Sequence, residues 1–154
     1  MADLHRQAQI SQRANERLAE SLATVAEPTP LGQLLAPLGR AVFEEGRRVR
    51  ALNPLTGADG ELLRTIARGD FLLEGFRNRD LRVALFGEAA DQAEQRRQSA
   101  AVTRKLRLLR AHGIISKIQK THRYQLSAQG RRIVTALLSA HAADADRLAA
   151  AAAA

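Results

Sequence analysis

The chain has 154 residues, a formal net charge of +8, 45% hydrophobic residues and 3% aromatics, with no cysteine and no tryptophan. That length suits one ordinary domain, or a small domain plus an extension. The lack of cysteine excludes disulfides, thiolate-ligated zinc, iron–sulfur clusters and thiol nucleophiles. So few aromatics leave a core of Leu, Ile, Val and Ala, which favours helix and offers little for stacking single-stranded bases.

The charge is unevenly spread. Residues 1–60 hold as many acidic as basic residues, so the whole excess of +8 falls in residues 61–154. Arg96 to Arg132 contains eleven basic residues and no acidic one. Scattered surface charge mixes its signs over such a length, whereas a one-signed run is the footprint of a polyanionic partner. The plain alternative is a solvated surface in an arginine-biased chain, since Arg outnumbers Lys 21 to three.

Residues 3–26 read as an amphipathic helix, with Leu4, Ala8, Ser11, Ala14, Leu18, Leu22 and Val25 at spacings of three and four. It is expected to end near Glu27, because Pro28 and Pro30 disfavour α geometry before them. A weaker helical piece is expected from Leu31 to about Glu45, interrupted at Pro37. The turn-rich stretch Asn53–Gly60 marks a boundary.

Beyond it, Glu61–Arg68 reads as a short helix ended by Gly69, and Phe71-Leu72-Leu73 as a very short strand. Asn78 is an N-cap candidate for a helix from Arg79 to Phe86, stopped by Gly87. Asp91-Gln92-Ala93-Glu94 has the form of a capping box and opens a long helix to His112, stopped by Gly113. Two β runs follow, Ile114–Gln119 and His122–Leu126, and Ser127 caps a last helix to about His141. The tail from Leu148 is almost all alanine, and it favours helix while burying little.

Helix, short strand, helix, long helix, hairpin, helix is the order of a winged helix-turn-helix. The expected fold is mostly α with a small β-hairpin wing, preceded by an N-terminal helical extension. Its expected divisions are an extension at 1–58, used for packing, dimerisation or partner binding, the winged domain at 59–141 and an Ala-rich tail at 142–154. Ser99-Ala100-Ala101-Val102-Thr103-Arg104-Lys105-Leu106-Arg107-Leu108-Leu109, followed by Gly113-Ile114-Ile115, resembles the recognition helix and first wing strand of MarR-like regulators. Leu126-Ser127-Ala128-Gln129-Gly130 similarly resembles the end of their wing. The resemblance covers about 80 residues and implies duplex-DNA binding in transcriptional regulation or another DNA transaction.

The residues give their own reason for the same reading. Val102, Leu106 and Leu109 form one helix stripe, while Arg96, Ala100, Thr103, Arg107 and Arg110 form another, with Arg104 beside it. Arg and Thr on an uncovered face suit a major groove. The expected helix contacts are therefore Arg96, Arg97, Ser99, Thr103, Arg104, Arg107 and Arg110, with Thr103, Arg104 and Arg107 expected at base edges. Lys117, Lys120, His122 and Arg123 on the wing, and Arg131 and Arg132 on the last helix, are expected to supply phosphate affinity. The Arg77-Asn78-Arg79 and Arg82 group reads as ordinary cap and surface chemistry, with phosphate contact as its alternative.

His5, His112, His122 and His141 are dispersed without metal-ligand spacing, and no nucleophile, phosphate loop or paired carboxylates stand out. No catalytic residue, metal or cofactor is expected. Pairing through the N-terminal helix into a homodimer or larger complex would set two recognition helices about 34–36 Å apart, one helical turn of DNA. The alternatives are a winged-helix interaction module for an acidic protein and a binder of structured RNA. No apolar run approaches the roughly 18 residues that span a bilayer. Met1-Ala2-Asp3-Leu4-His5-Arg6 lacks a signal-peptide core. A cytoplasmic chain without a membrane partner is expected, nucleoid-associated if bacterial.

Overall fold

The computed structural model describes residues 12–13 and 30–153. The expected helix at 3–26 lies outside the described residues, apart from Gln12 and Arg13, which are helical. The described part begins with α1 (Leu31–Leu35), which tightens at Pro37 into a 3-10 turn (Ala36–Gly39). The helix expected as far as Glu45 does not form. Instead β1 (Val42–Glu44) and β2 (Arg47–Val49) pair antiparallel, with Val42 opposite Val49 and Glu44 opposite Arg47. Glu45 and Gly46 join them, both at positive φ (49° and 74°). Two such residues make the tight turn whose twist matches a hairpin. Pro37 has already ended the helix, and the β-branched Val42 and Val49 suit the extended chain.

Next come α2 (Gly57–Ile66), α3 (Gly69–Glu74), α4 (Asn78–Phe86) and α5 (Gln92–Ala111). Strands β3 (Ile115–Lys117) and β4 (Tyr124–Leu126) form the second hairpin, and α6 (Ala128–Ala153) closes the chain. The mostly α fold with a small β-hairpin wing is therefore present. Two local expectations are corrected. Gly69 starts α3 instead of ending α2, and Phe71-Leu72-Leu73 is helical. The strand-like position falls later, at Phe76, which exchanges both backbone hydrogen bonds with Tyr124 at 2.9 and 2.8 Å. Gly75 causes the shift. At φ 71° it ends α3, and a Cβ there would stand 2.5 Å from the Tyr124 carbonyl oxygen, so only glycine lets the chain close onto the wing.

One hydrophobic core runs through all of this. Leu35, Leu38, Val49 and Leu52 are buried in the same cluster as Leu62, Ile66, Leu81, Val102, Leu109 and Ile133. The Leu52 amide also bonds the Leu38 carbonyl at 2.8 Å. The boundary expected near residue 58 therefore separates no second core: residues 35–52 pack into the winged part. Burying each such Leu contributes about 1.5–3 kcal/mol, so this segment adds to the stability of the shared core. α6 runs well past His141, and its last turns are exposed. Among the described residues, no helix is long and apolar enough to cross a membrane.

Candidate nucleic-acid interface

Helix α5 starts where the sequence indicates. The Asp91 carboxylate accepts from the Glu94 amide at 2.7 Å, and Glu94 reaches back to the Ala90 amide at 2.9 Å. The helix ends at His112 and turns through Gly113. Val102, Leu106 and Leu109 are buried, which turns Arg96, Arg97, Ala100, Thr103, Arg104 and Arg110 outward. Arg107 and Ser99 are half-buried.

The polar residues of this helix divide into two kinds. Ser99 and Thr103 are occupied within the fold. Asn78 donates to the Ser99 carbonyl at 3.1 Å and to Thr103 Oγ1 at 3.0 Å, and its own oxygen accepts from Ser99 Oγ at 3.1 Å. Asn78 thus fastens α4 to α5, and it is not the N-cap. Arg77 precedes the helix, and Asp80 accepts from the Arg77 amide at 2.8 Å. Arg82, expected at the surface, is buried, and it donates to Gln98 at 3.3 Å.

The cations divide as well. Arg96, Arg97 and Arg104 have no ion pair among the described residues. Arg96 and Arg104 are eight steps apart, or roughly 12 Å of helix axis, close to the width of a major groove. Arg107 and Arg110, in the C-terminal half, meet Glu44 of β1 at 3.4 and 3.8 Å. The Glu44 side chain is only 19% exposed, so this pair is better shielded than an open surface bridge. The base-edge role expected of Arg107 therefore falls on a side chain already held by a carboxylate.

The first hairpin is fixed at its far end by Arg50. Its guanidinium makes a two-pronged contact with Asp59 at 2.7 and 2.8 Å, and its carbonyl contacts His112 Nε2 at 2.9 Å. His112, expected at a helix end, is buried there as the hairpin's anchor. The Arg50 hydrogen bonds, joined by the Asn53 amide, hold the Asp59 carboxyl below its ordinary value despite burial.

On the wing, Lys117, Lys120 and His122 are exposed. Arg123 folds back instead, donating to the Glu74 carbonyl of α3 at 3.2 Å. Ser127 Oγ accepts from the Gly130 amide at 2.9 Å and donates to the Gly113 carbonyl at 2.6 Å. It therefore caps α6 and ties both ends of the wing together. Arg131 and Arg132 are exposed, but the Gly130 and Arg131 amides are already bonded to Ser127.

Glu44, Arg50–Asp59 and the Asn78 clamp were missed in sequence. Glu44 finds its partner 63 positions away, Arg50 and Asp59 are joined across a turn-rich stretch with no helical or strand period, and Asn78 sits at a position where capping is the commoner use. Among the described residues, no group of three or more His, Asp or Glu side chains is placed to hold a metal ion. No family model matches the chain, and it matches no curated protein and no solved structure.

Proposed function

We propose that this chain binds duplex DNA without catalysis, through the N-terminal half of α5 and the tip of the β3–β4 wing. The observation that carries the reading is the set of unpaired cations on exposed surface. Arg96, Arg97 and Arg104 project from α5, and Lys117 and Lys120 from the wing, within a stretch that contains no acidic residue. Arg96, Arg97 and Arg104 are the readers of base edges, while Lys117, Lys120, Arg131 and Arg132 meet phosphates. Thr103 and Ser99 position the helix through Asn78. The resemblance to MarR-like regulators supports a role in transcriptional control or another DNA transaction.

Binding of the purified chain to a random duplex library across a salt series tests this. Four phosphate contacts predict a log–log salt slope of about −3.6, an affinity loss of roughly 10² between 50 and 200 mM salt. An enriched motif identifies a sequence reader. A steep slope without a motif makes the chain a binder guided by a partner. Little binding at low salt refutes the reading and favours an interaction module for an acidic protein.

A further inference from the structure

A cleft of about 440 Å³ lies between the first hairpin and the recognition helix, lined by Arg48, Val49 and Arg50 on one side and Ala101, Arg104, Lys105, Arg107 and Leu108 on the other. Five of these eight residues are cations and none is acidic. Two are already answered, Arg50 by Asp59 and Arg107 by Glu44, neither of which lines the cleft. Arg48, Arg104 and Lys105 have no ion pair among the described residues, although the Asp59 carboxylate also acts on Lys105 at longer range.

Three like charges converging on one concave space repel each other, and an anion placed among them removes that repulsion. The cleft falls in the range of small-molecule sites, about 300–1,000 Å³. Its floor is apolar (Val49 and Leu108 are buried), so the cations stand around a surface that binds water weakly. Arg forks and a Lys point charge are the donors that phosphate oxygens take.

We propose that this cleft is a phosphate-binding site, with the size and charge for a di- or triphosphate group. The phosphate competes with Glu44 for Arg107, so occupancy loosens the contact between the hairpin and the C-terminal half of α5. The same chemistry has two sources, a free polyphosphate or nucleotide and the backbone of bound DNA. The site shares Arg104 with the DNA reading, but its capture of a free polyphosphate does not require that reading.

Calorimetric titration of the full chain with inorganic triphosphate at low salt tests it. One saturable site per chain is expected. Lys105→Ala and Ala101→Glu should each weaken it at least tenfold, with Arg147→Ala, on exposed α6, unchanged. Glu exchanges readily for Ala in a helix, and circular dichroism melts verify that both variants fold. Glu44→Gln should tighten binding several-fold by freeing Arg107. Absence of saturable binding overturns the proposal, as does binding that folded Lys105→Ala and Ala101→Glu leave unchanged.

A second titration adds a short duplex. Displacement of triphosphate by the duplex, with both weakened by the same variants, assigns the site to backbone phosphate. Simultaneous binding of the two assigns it to the free ligand. Triphosphate binding with no duplex binding at all sustains the site while refuting the DNA reading.

Discussion

The two hairpins have strands of three residues each and carry similar basic side chains, yet they are held in different ways. The wing is seated by backbone. Phe76 pairs with Tyr124, and Ser127 joins its two ends to the start of α6. Gly75 and Gly130 let the chain pass where any Cβ would collide. The first hairpin is seated by side chains: Val49 in the core, Arg50 on Asp59 and Glu44 on Arg107 and Arg110. Glu44 on its first strand makes it a brace for α5, whereas Lys117 and Lys120 on the wing have no ion pair among the described residues. Counting cations in sequence therefore overstates how many are left unpaired.

The sharpest break in this comparison is expected at Gly130. A Cβ there would fall on the Ile114 carbonyl oxygen, a backbone atom that cannot swing aside. Gly130→Ala should cost about 3 kcal/mol, the upper end of overpacking penalties, read from urea unfolding. A cost near zero would show that the wing is not seated by close backbone approach.

On duplex DNA, Arg104→Ala should cost about 1–3 kcal/mol and relax preference at one base position. Arg107→Ala should cost less in the wild type, because Glu44 already holds that side chain. In a Glu44→Gln background the cost of losing Arg107 should rise. Equal costs for Arg107→Ala in both backgrounds would mean that Glu44 does not govern the helix.

Removing the anchor should be milder. Asp59→Asn should destabilise by about 1–2 kcal/mol, the value of hydrogen bonds to a charged group reduced for solvent screening, since the Arg50 side chain is 62% exposed. Because the folded Asp59 carboxyl is held below its ordinary value, its contribution is complete above the unfolded value of about 3.9. That contribution fades as pH falls through the depressed folded value. Denaturation curves from pH 6 to pH 2 should therefore lose stability more steeply for the wild type than for Asp59→Asn.

The smallest effect is expected at the first hairpin's turn. Glu45 sits at φ 49°, a conformation that Asn tolerates better. Glu45→Asn should stabilise by roughly 0.5 kcal/mol, a part of the left-handed penalty of about 1–2 kcal/mol. A loss of stability in thermal melts would mean that the Glu45 side chain matters more than its backbone.

Much of the winged part was legible because its signals are local. The Asp91–Glu94 box, the Val102–Leu106–Leu109 stripe and Gly113 lie within a few residues of what they control. Ser127 also caps α6 as its position implies. Phe71–Leu73 misled because a short apolar run has no period long enough to separate strand from helix. Residues 42–49 misled because their turn, Glu45-Gly46, lacks the Asn-Gly or Asp-Gly signal of a two-residue hairpin.

The sequence by itself determined the helix-rich class, the helix and wing order and the one-signed basic stretch, each written in neighbouring residues. Only the tertiary structure decided which of those cations are free. Glu44 reaches Arg107 across 63 positions, and the His112 contact with Arg50 spans 62. Pairings at that range depend on how the hairpin docks on the shared core, and no local period or cap encodes them.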